Sequence, residues 1–333
     1  MTTQPTLAPL IERFFTDRLM RQRNVSPNTV ASYRDTFRLL FAFAQEEVGK
    51  APSALDLRDL DAPFIGKFLD HLEEHRSASV RTRNLRLTAI RSFFAFVAFE
   101  EPAHSAQIQR VLTIPSKRHD RRQVHFLTRP EIEALLSVPD RSTWIGRRDH
   151  ALLLLAVQTG LRVSELVRLD RDAVCLQHGA HVRCLGKGRK ERCTPLTATA
   201  VATLTAWLSE PRRRDAQALF PSIHGNRLSV DAVQHLIGQH VAVAANRMPS
   251  LKQKRVSPHI LRHSAAMELL QAGVECSVIA LWLGHESVET TQVYLHAHLA
   301  LKEAVLAKLS PYEGEKADRF RPDDKLLAFL NAL

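Results

Sequence analysis

Residues Ser257–Gln271 read SPHILRHSAAMELLQ and combine a helix-start signal with two histidines and an arginine. Serine caps free amides and proline suits the first helical position, so the segment predicts a helix over Pro258–Gln271. His259 and Arg262 are three residues apart and share one face of that helix. His259 also falls in the first turn, where free amides and the helix dipole favour an anion.

Two short segments on either side of this helix contribute further polar residues. Downstream, Leu283-Gly-His285 puts a histidine next to a glycine, and Tyr294 follows nine residues later. Upstream, Thr159-Gly-Leu-Arg162 puts an arginine directly after the predicted end of a buried helix. Taken singly, such residues are more often surface charges, hydrogen-bonded polar groups or packed aromatic rings than catalysts. Their function therefore depends on whether the fold brings them together.

A β-hairpin is predicted between these segments and the middle of the chain. His181–Leu185 and Arg192–Leu196 have strand patterns on either side of the turn Gly186-Lys-Gly-Arg-Lys190. The turn lacks the spacing of a phosphate-binding P-loop, and no helix follows it. Considered alone, Lys187 is a charge at the tip of a hairpin.

The rest of the chain has helical periodicity. In the first half, apolar residues spaced by three and four predict a small bundle of four helices that begin near Leu7, Ser26, Ala62 and Ser79. In the second half, helices are expected at Ile132–Leu136, Arg147–Thr159, Ala198–Leu208, Ser229–Ala245, Val278–Leu283 and Val288–Leu309. The predicted fold class is mainly α with a small antiparallel β element.

The length of 333 residues is enough for about two domains. A basic segment after Pro115 contains Lys117-Arg-His-Asp-Arg-Arg122 and indicates a linker. We expect a helical domain over residues 1–112, the linker over 113–125 and a second domain over 126–310. Residues 311–333 are expected to form a polar tail that ends in a short apolar helix.

The charge balance indicates a polyanionic partner. The net charge is +11, with 19 Lys/Arg and 14 Asp/Glu in residues 1–125, and 27 and 21 in residues 126–333. Because the excess is spread over both halves, both can face one nucleic acid. No apolar run is long enough to cross a bilayer, and Met1–Phe15 has no signal-peptide pattern. We therefore expect a cytoplasmic protein that does not contact a membrane.

Several kinds of chemistry have no sequence support. The chain has no GxSxG or HExxH motif, and its acidic residues form no cluster for two-metal phosphoryl transfer. The histidines of the last third lack a carboxylate or thiolate partner at metal-ligand spacing. The four cysteines form no CxxC pair and are expected to be reduced thiols. We expect no metal, no cofactor and no small-molecule substrate.

Five strings together resemble the tyrosine recombinases, also called the phage integrase family. They are TGLRVSEL at Thr159–Leu166, GKGRKER at Gly186–Arg192, SPHILRH at Ser257–His263, LGH at Leu283–His285 and TTQVY at Thr290–Tyr294. Their order and approximate spacing are those of the family, and the likeness is greatest to Xer-type recombinases and mobile-element integrases. The resemblance implies a SAM-like core-binding bundle, which binds DNA, followed by a catalytic domain with the DNA breaking–rejoining fold.

The resemblance implies that Tyr294 attacks a DNA phosphodiester and becomes a 3′-phosphotyrosine. Arg162 and Arg262 would hold the scissile phosphate. The chemistry is sound, because two guanidinium groups can bind phosphate oxygens bidentately and neutralise charge that develops in the transition state. The phosphotyrosine keeps the energy of the ester bond, so religation would need neither ATP nor a metal.

Three supporting groups follow from the same resemblance. Lys187 would donate a proton to the leaving 5′ oxygen, and His259 would assist as an acid–base. His285 would hydrogen-bond a phosphate oxygen. Such groups are needed because a phenol with a pKa of about 10 is a poor nucleophile near neutral pH.

The predicted function is therefore site-specific DNA recombination or integration on double-stranded DNA that carries recombination sites. The resemblance implies a synaptic tetramer of this chain, alone or with a related recombinase, and association with the nucleoid. Two alternatives stay open: relaxation of DNA in the manner of a type IB topoisomerase, and a non-enzymatic DNA-binding regulator on the same fold. Chromosome resolution and mobility of an element both fit the sequence.

Overall fold

The computed structural model describes residues 7–119, 124–186, 190–211, 214, 216–285, 290, 291 and 294. The chain divides into two compact units, Met1–Arg121 and Arg122–Leu333. The structure is mostly helical, with one small antiparallel sheet of three strands. The predicted fold class is thereby confirmed. No helix in the described part of the chain is long and apolar enough to cross a membrane.

The first unit contains the four predicted helices and one more. They are α1 (Leu7–Arg13), which continues as a π-helix over Phe14–Gln22, α2 (Pro27–Val48), α3 (Ala62–Glu74), α4 (Val80–Glu100) and α5 (Ser105–Leu112). Ser26 and Ser79 cap α2 and α4 by accepting hydrogen bonds from backbone amides three residues later. The sequence did not predict α5, because eight residues with two buried side chains give too short a periodic pattern.

Aromatic side chains fill the interior of the first unit. The ring centroid of Phe93 lies 5.4 Å from that of Phe14 and 5.3 Å from that of Phe37. All three rings are buried, and they join α4 to α2 and to the π-helix. Burial of these apolar side chains is the main source of stability available to this unit.

The second unit combines helices with the small sheet. Its elements are α6 (Arg129–Leu136), α7 (Trp144–Thr159), α8 (Val163–Leu166), β1 (Val174–Cys175), β2 (His181–Leu185), β3 (Glu191–Pro195), α9 (Ala198–Leu208), α10 (Val230–Arg247), α11 (Pro258–Gln271) and α12 (Cys276–Leu283). The strand order is β1-β2-β3, and Cys184 on β2 pairs with Arg192 on β3.

Most predicted elements of this unit are present, with small shifts at their ends. Strand β3 starts one residue earlier than predicted, and α7 starts at Trp144 because Thr143 caps it. Strand β1 was not predicted, since two residues show no alternation. The predicted helix Val288–Leu309 lies outside the described residues except at 290, 291 and 294, and the tail 311–333 lies wholly outside them.

Helix α11 contacts the start of the unit and the C-terminal end of α7. The Ser264 hydroxyl accepts a hydrogen bond of 2.8 Å from the backbone amide of Leu127. Gly160, which ends α7, lies close to α11 and α12, and its φ is +62°. A Cβ at Gly160 would lie 2.6 Å from Leu283 Cδ2, so only glycine allows this turn and this close approach. The packing places the C-terminal ends of α7 and α12 beside the first turns of α11.

Candidate active site

Arg262 connects these three helices from a buried position on α11. Its Nη1 donates to the carbonyl oxygen of Gly160 at 2.7 Å, and its Nη2 donates to the carbonyl oxygen of Leu283 at 2.8 Å. Burial, followed by the charge of Arg162, lowers the pKa of Arg262 to about 10. The guanidinium group therefore keeps its positive charge at neutral pH.

Arg162 lies between Gly160 and α8 and is oriented by a buried carboxylate. Its Nη1 donates to Glu165 Oε1 at 2.8 Å, and its backbone amide donates to Glu165 Oε2 at 2.8 Å. Its Nη2 donates to the carbonyl oxygen of Gly284 at 3.0 Å. Arg162 and Arg262 thus bind consecutive carbonyl groups, those of Gly284 and Leu283, which brings two cations to one segment of the chain.

Tyr294 lies beside this segment with its hydroxyl group in contact with a histidine. Its Oη is 2.9 Å from His263 Nδ1, and its ring is 1% exposed. The His285 ring is nearly parallel to the Tyr294 ring, with centroids 6.4 Å apart. His285 Nδ1 is 2.7 Å from the hydroxyl oxygen of Thr291, which is also buried. Two histidines therefore flank the phenol.

Burial and positive charge determine the protonation of these groups. Burial raises the pKa of Tyr294, and the charges of Arg262 and Arg162 act in the opposite direction. Burial, followed by nearby positive charges, lowers the pKa of His263 and of His285 to about 4. At neutral pH both histidines and the phenol are uncharged, so arginine side chains supply the positive charge of the site.

Four of the six predicted site residues come together in this way, and they are Arg162, Arg262, His285 and Tyr294. His259 is exposed one turn before His263, and the two imidazole rings have centroids 6.3 Å apart. It therefore lies at the edge of the cluster. Lys187 lies outside the described residues. Within the described ranges, no three His, Cys, Asp or Glu side chains are grouped as a metal site.

Three residues of the site were not assigned from the sequence: Glu165, Arg192 and His263. Each lies within a quoted family string, three residues after Arg162, five after Lys187 and one after Arg262 respectively. Glu165 also lies three residues after Arg162, a spacing that allows an ion pair within one helical turn. The partners of Arg192 and His263 are distant in sequence, so those contacts could not be read from local spacing.

Comparison with known proteins identifies the family. The sequence profile of the phage integrase family matches residues 125–300, and that of the phage integrase N-terminal SAM-like domain matches residues 11–101. The chain belongs to the phage integrase family of tyrosine recombinases. Residues 125–300 of this recombinase include the whole cluster described above.

Relatives agree with this assignment. A Sinorhizobium fredii protein named "Putative integrase/recombinase y4rC" is 62% identical over the full length of both chains. Tyrosine recombinase XerD of Pseudomonas putida is 33% identical and covers 91% of this chain and 97% of its own. The chain is thus a site-specific recombinase, an enzyme that cleaves and rejoins DNA, as the sequence predicted. The topoisomerase and regulator alternatives are not favoured.

Solved structures share the fold. XerH recombinase bound to its difH substrate has a TM-score of 0.68 at 22% identity, over 86% of this chain and 81% of that one. The Tn1549 transposon integrase in complex with a circular intermediate DNA has a TM-score of 0.66 at 16% identity, over 91% and 99%. At these identities the likeness concerns the fold, and the expected two-part recombinase architecture is confirmed.

Proposed function

We propose that this recombinase cleaves DNA with Tyr294 and holds the cut end as a 3′-phosphotyrosine until religation. The observation that supports this most strongly is the grouping of four side chains around residues 283–285. Arg262 and Arg162 donate to the carbonyl groups of Leu283 and Gly284, and His285 stacks on Tyr294. One phenol, two guanidinium groups and an imidazole in one place are the groups that attack on an anionic phosphodiester requires.

The proposed role of Arg162 and Arg262 is to bind the scissile phosphate. A guanidinium group carries five N–H donors, so both arginines have the capacity to bind phosphate oxygens besides their carbonyl partners. Arg262 is buried, with 4% of the residue exposed. Arg162 is partly exposed, with 26% of its side chain accessible. Arg262 therefore suits the rear of a phosphate pocket, and Arg162 suits its opening.

The proposed proton transfers involve the remaining predicted residues. The bond from Tyr294 Oη to phosphorus forms as the bond from phosphorus to the 5′ oxygen breaks. Lys187 gives a proton to the 5′ oxygen, and His259, the assisting acid–base at the edge of the cluster, takes up the proton that the Tyr294 hydroxyl loses. His285 donates a hydrogen bond to a phosphate oxygen. No ATP is consumed, because the phosphotyrosine conserves the energy of the broken ester bond. The two arginines supply the charge that a metal would otherwise provide.

The proposed substrate is double-stranded DNA with specific recombination sites. The net charge of +11 favours a polyanion, and the solved relatives named above were studied with DNA. We propose that residues 1–112 bind DNA as the core-binding domain, that residues 113–125 link them to a catalytic domain over 126–310, and that synapsis uses a tetramer at the nucleoid. The tetramer contains this chain alone or together with a related recombinase.

A suicide substrate tests the proposed nucleophile. A duplex nicked close to the cut loses the short fragment after cleavage, so the covalent complex accumulates and is visible on a denaturing gel. We expect Tyr294→Phe to abolish this complex and to leave DNA affinity within about 2-fold, because phosphate contacts by basic side chains supply most of the affinity.

Tyr33→Phe is the matched control, since Tyr33 lies on α2 of the first unit. This variant should form the covalent complex at the wild-type rate. An undiminished yield of complex from Tyr294→Phe would remove Tyr294 as the nucleophile.

A further inference from the structure

Arg192, at the start of strand β3, touches three separate parts of the second unit. Its guanidinium group lies against Glu165 in α8, against Gly284 after α12 and against Gly186 at the end of β2. Its side chain is 12% exposed. Of the six residues predicted from the sequence, Arg162 also contacts Glu165 and Gly284. The mechanism proposed above does not use Arg192.

The contact with Glu165 is a bidentate ion pair. Arg192 Nη1 donates to Oε1 at 3.1 Å, and Arg192 Nη2 donates to Oε2 at 2.7 Å. The same two oxygens accept from Arg162, Oε1 from its Nη1 and Oε2 from its backbone amide. Both carboxylate oxygens of Glu165 thus accept hydrogen bonds from Arg192 and from Arg162. Each arginine limits how strongly Glu165 pairs with the other.

The electrostatics of this group depend on both arginines. Burial alone would raise the pKa of Glu165, but hydrogen bonds and charge from Arg192, with hydrogen bonds from Arg162, bring it below its usual value. A buried carboxylate without a partner is costly, so Glu165 compensates for the loss of one arginine by pairing more completely with the other. Without Arg192, Glu165 would attract the side chain of Arg162 away from a bound phosphate.

The contact of Arg192 with Gly284 restrains the backbone that binds the other end of the Arg162 guanidinium group. A Cβ at Gly284 would lie 2.7 Å from Arg192 Nη1 and 3.0 Å from Arg192 Cζ, and the φ of Gly284 is +67°. Its carbonyl oxygen accepts the hydrogen bond from Arg162 Nη2. Arg192 therefore packs against the backbone that receives Arg162, one residue before His285. This packing is a physical reason for glycine at position 284.

We propose that Arg192 is a positioning residue of the recombination reaction, which holds Glu165 and Gly284 so that the guanidinium group of Arg162 faces the scissile phosphate. This inference rests on the phosphate-binding role proposed above for Arg162. Arg192 itself does not touch the DNA in this role. Because it acts through Arg162, its loss affects the step in which charge on the phosphate is neutralised.

The test compares two suicide substrates, one with a normal scissile phosphate and one with a neutral methylphosphonate in its place. We expect Arg192→Met to slow cleavage of the phosphate about 10–10²-fold, since misplacement of a catalytic group by about 1 Å has effects of this size. The factor by which methylphosphonate cleavage slows should be at least about 5-fold smaller, because that substrate has less charge for Arg162 to neutralise. DNA affinity should stay within about 3-fold.

Arg183→Met is the matched control, because Arg183 lies on the neighbouring strand β2, is exposed and donates to the carbonyl oxygen of Asp172. It should cleave both substrates at the wild-type rate. Arg192→Lys keeps the charge but loses the fork geometry, so it should slow phosphate cleavage more than methylphosphonate cleavage. If Arg192→Met unfolds below the assay temperature, the comparison of the two substrates is made with Arg192→Lys instead.

A double-mutant cycle tests the contact with Gly284. Gly284→Ala should slow cleavage in the wild-type chain, because the added Cβ displaces Arg192. In a chain with Arg192→Ala, the same change should cost less, because the displaced group is absent. Additive effects, or equal slowing of both substrates by Arg192→Met and Arg192→Lys, would overturn the proposal.

Arg162→Ala separates this inference from the proposed function. Full cleavage by Arg162→Ala would contradict the role proposed for Arg162. Loss of cleavage in Arg162→Ala together with full cleavage in Arg192→Met would contradict only the positioning role of Arg192.

Discussion

The interiors of the two units differ in their chemistry. Among the described residues of the first unit, the buried polar side chains are Thr36 and Arg83. In the described part of the second unit they are Glu131, Arg148, Asp149, His150, Thr159, Glu165, Thr194, Arg262, Ser264 and Thr291. The first unit is therefore held mainly by apolar packing. The second unit carries charged groups in its core, and several of them orient the side chains of the active site.

This difference has a physical cost and a physical use. A buried charge is tolerated only when it is paired and hydrogen-bonded, so the second unit must keep its networks complete. In return, Arg262 and Glu165 are each held by several hydrogen bonds from separate parts of the unit. In the first unit, stability therefore comes from apolar packing. In the second unit, the same buried charged groups contribute to stability and orient the site. Three variants test this difference.

Phe93→Ala has the largest expected effect and concerns the first unit. Phe93 is fully buried against Phe14 and Phe37, so its truncation should lower the free energy of unfolding by about 3–5 kcal/mol. Urea unfolding combined with hydrogen exchange in α2 and α4 measures this loss. Phe99→Ala on the same helix is the control, because Phe99 is 82% exposed and should change stability by about 0.5 kcal/mol or less. Equal losses in both variants would contradict an apolar core.

Glu131→Gln has an intermediate effect that depends on pH and concerns the second unit. Glu131 accepts hydrogen bonds from Lys254, Ser250 and the amide of Thr128. Burial would raise the pKa of Glu131, but these partners bring it below its ordinary value of 4.5. The unfolded chain therefore takes up a proton first as pH falls. The stability from this group is present above about pH 4.5 and is lost as pH falls through the lowered pKa.

We expect Glu131→Gln to cost about 1.5–3 kcal/mol at neutral pH and less at about pH 3.5. Urea unfolding at the two pH values measures the difference. Glu133→Gln on the same helix is the control, since Glu133 is exposed and pairs only at the surface with Arg129. If the loss of free energy of unfolding caused by Glu131→Gln did not change with pH, the ionised carboxylate would not be the source of this stability.

His263→Leu has the smallest expected effect and acts on rate. Loss of the hydrogen bond to the Tyr294 hydroxyl should slow cleavage about 10-fold, which corresponds to about 1.4 kcal/mol. His263→Asn should keep most of the rate, because its amide can reach the position of Nδ1. Burial lowers the pKa of His263 to about 4, so this residue should add no inflection between about pH 5.5 and 8. Full cleavage by the leucine variant would show that the contact does not serve the reaction.

Local sequence signals were sufficient to predict most of the secondary structure. Ser26 and Ser79 mark helix starts through their own hydroxyl groups, and Gly160 marks a helix end through its positive φ. These signals involve neighbours within about four residues, so the amino-acid sequence alone determines them. The same holds for the strand pattern of the hairpin. The five family strings also determined the chemistry expected of the chain.

Tertiary structure alone decided how the site is built. The hydrogen bond from Arg262 to Gly160 spans 102 residues, that from His263 to Tyr294 spans 31, and that from Arg192 to Glu165 spans 27. Such contacts exist only after α7, α11 and the hairpin pack together, and packing depends on the whole core rather than on any local pattern. The sequence by itself therefore indicated Arg162, Arg262, His285 and Tyr294 as a group, and the packed fold decided that Glu165, Arg192 and His263 lie beside them.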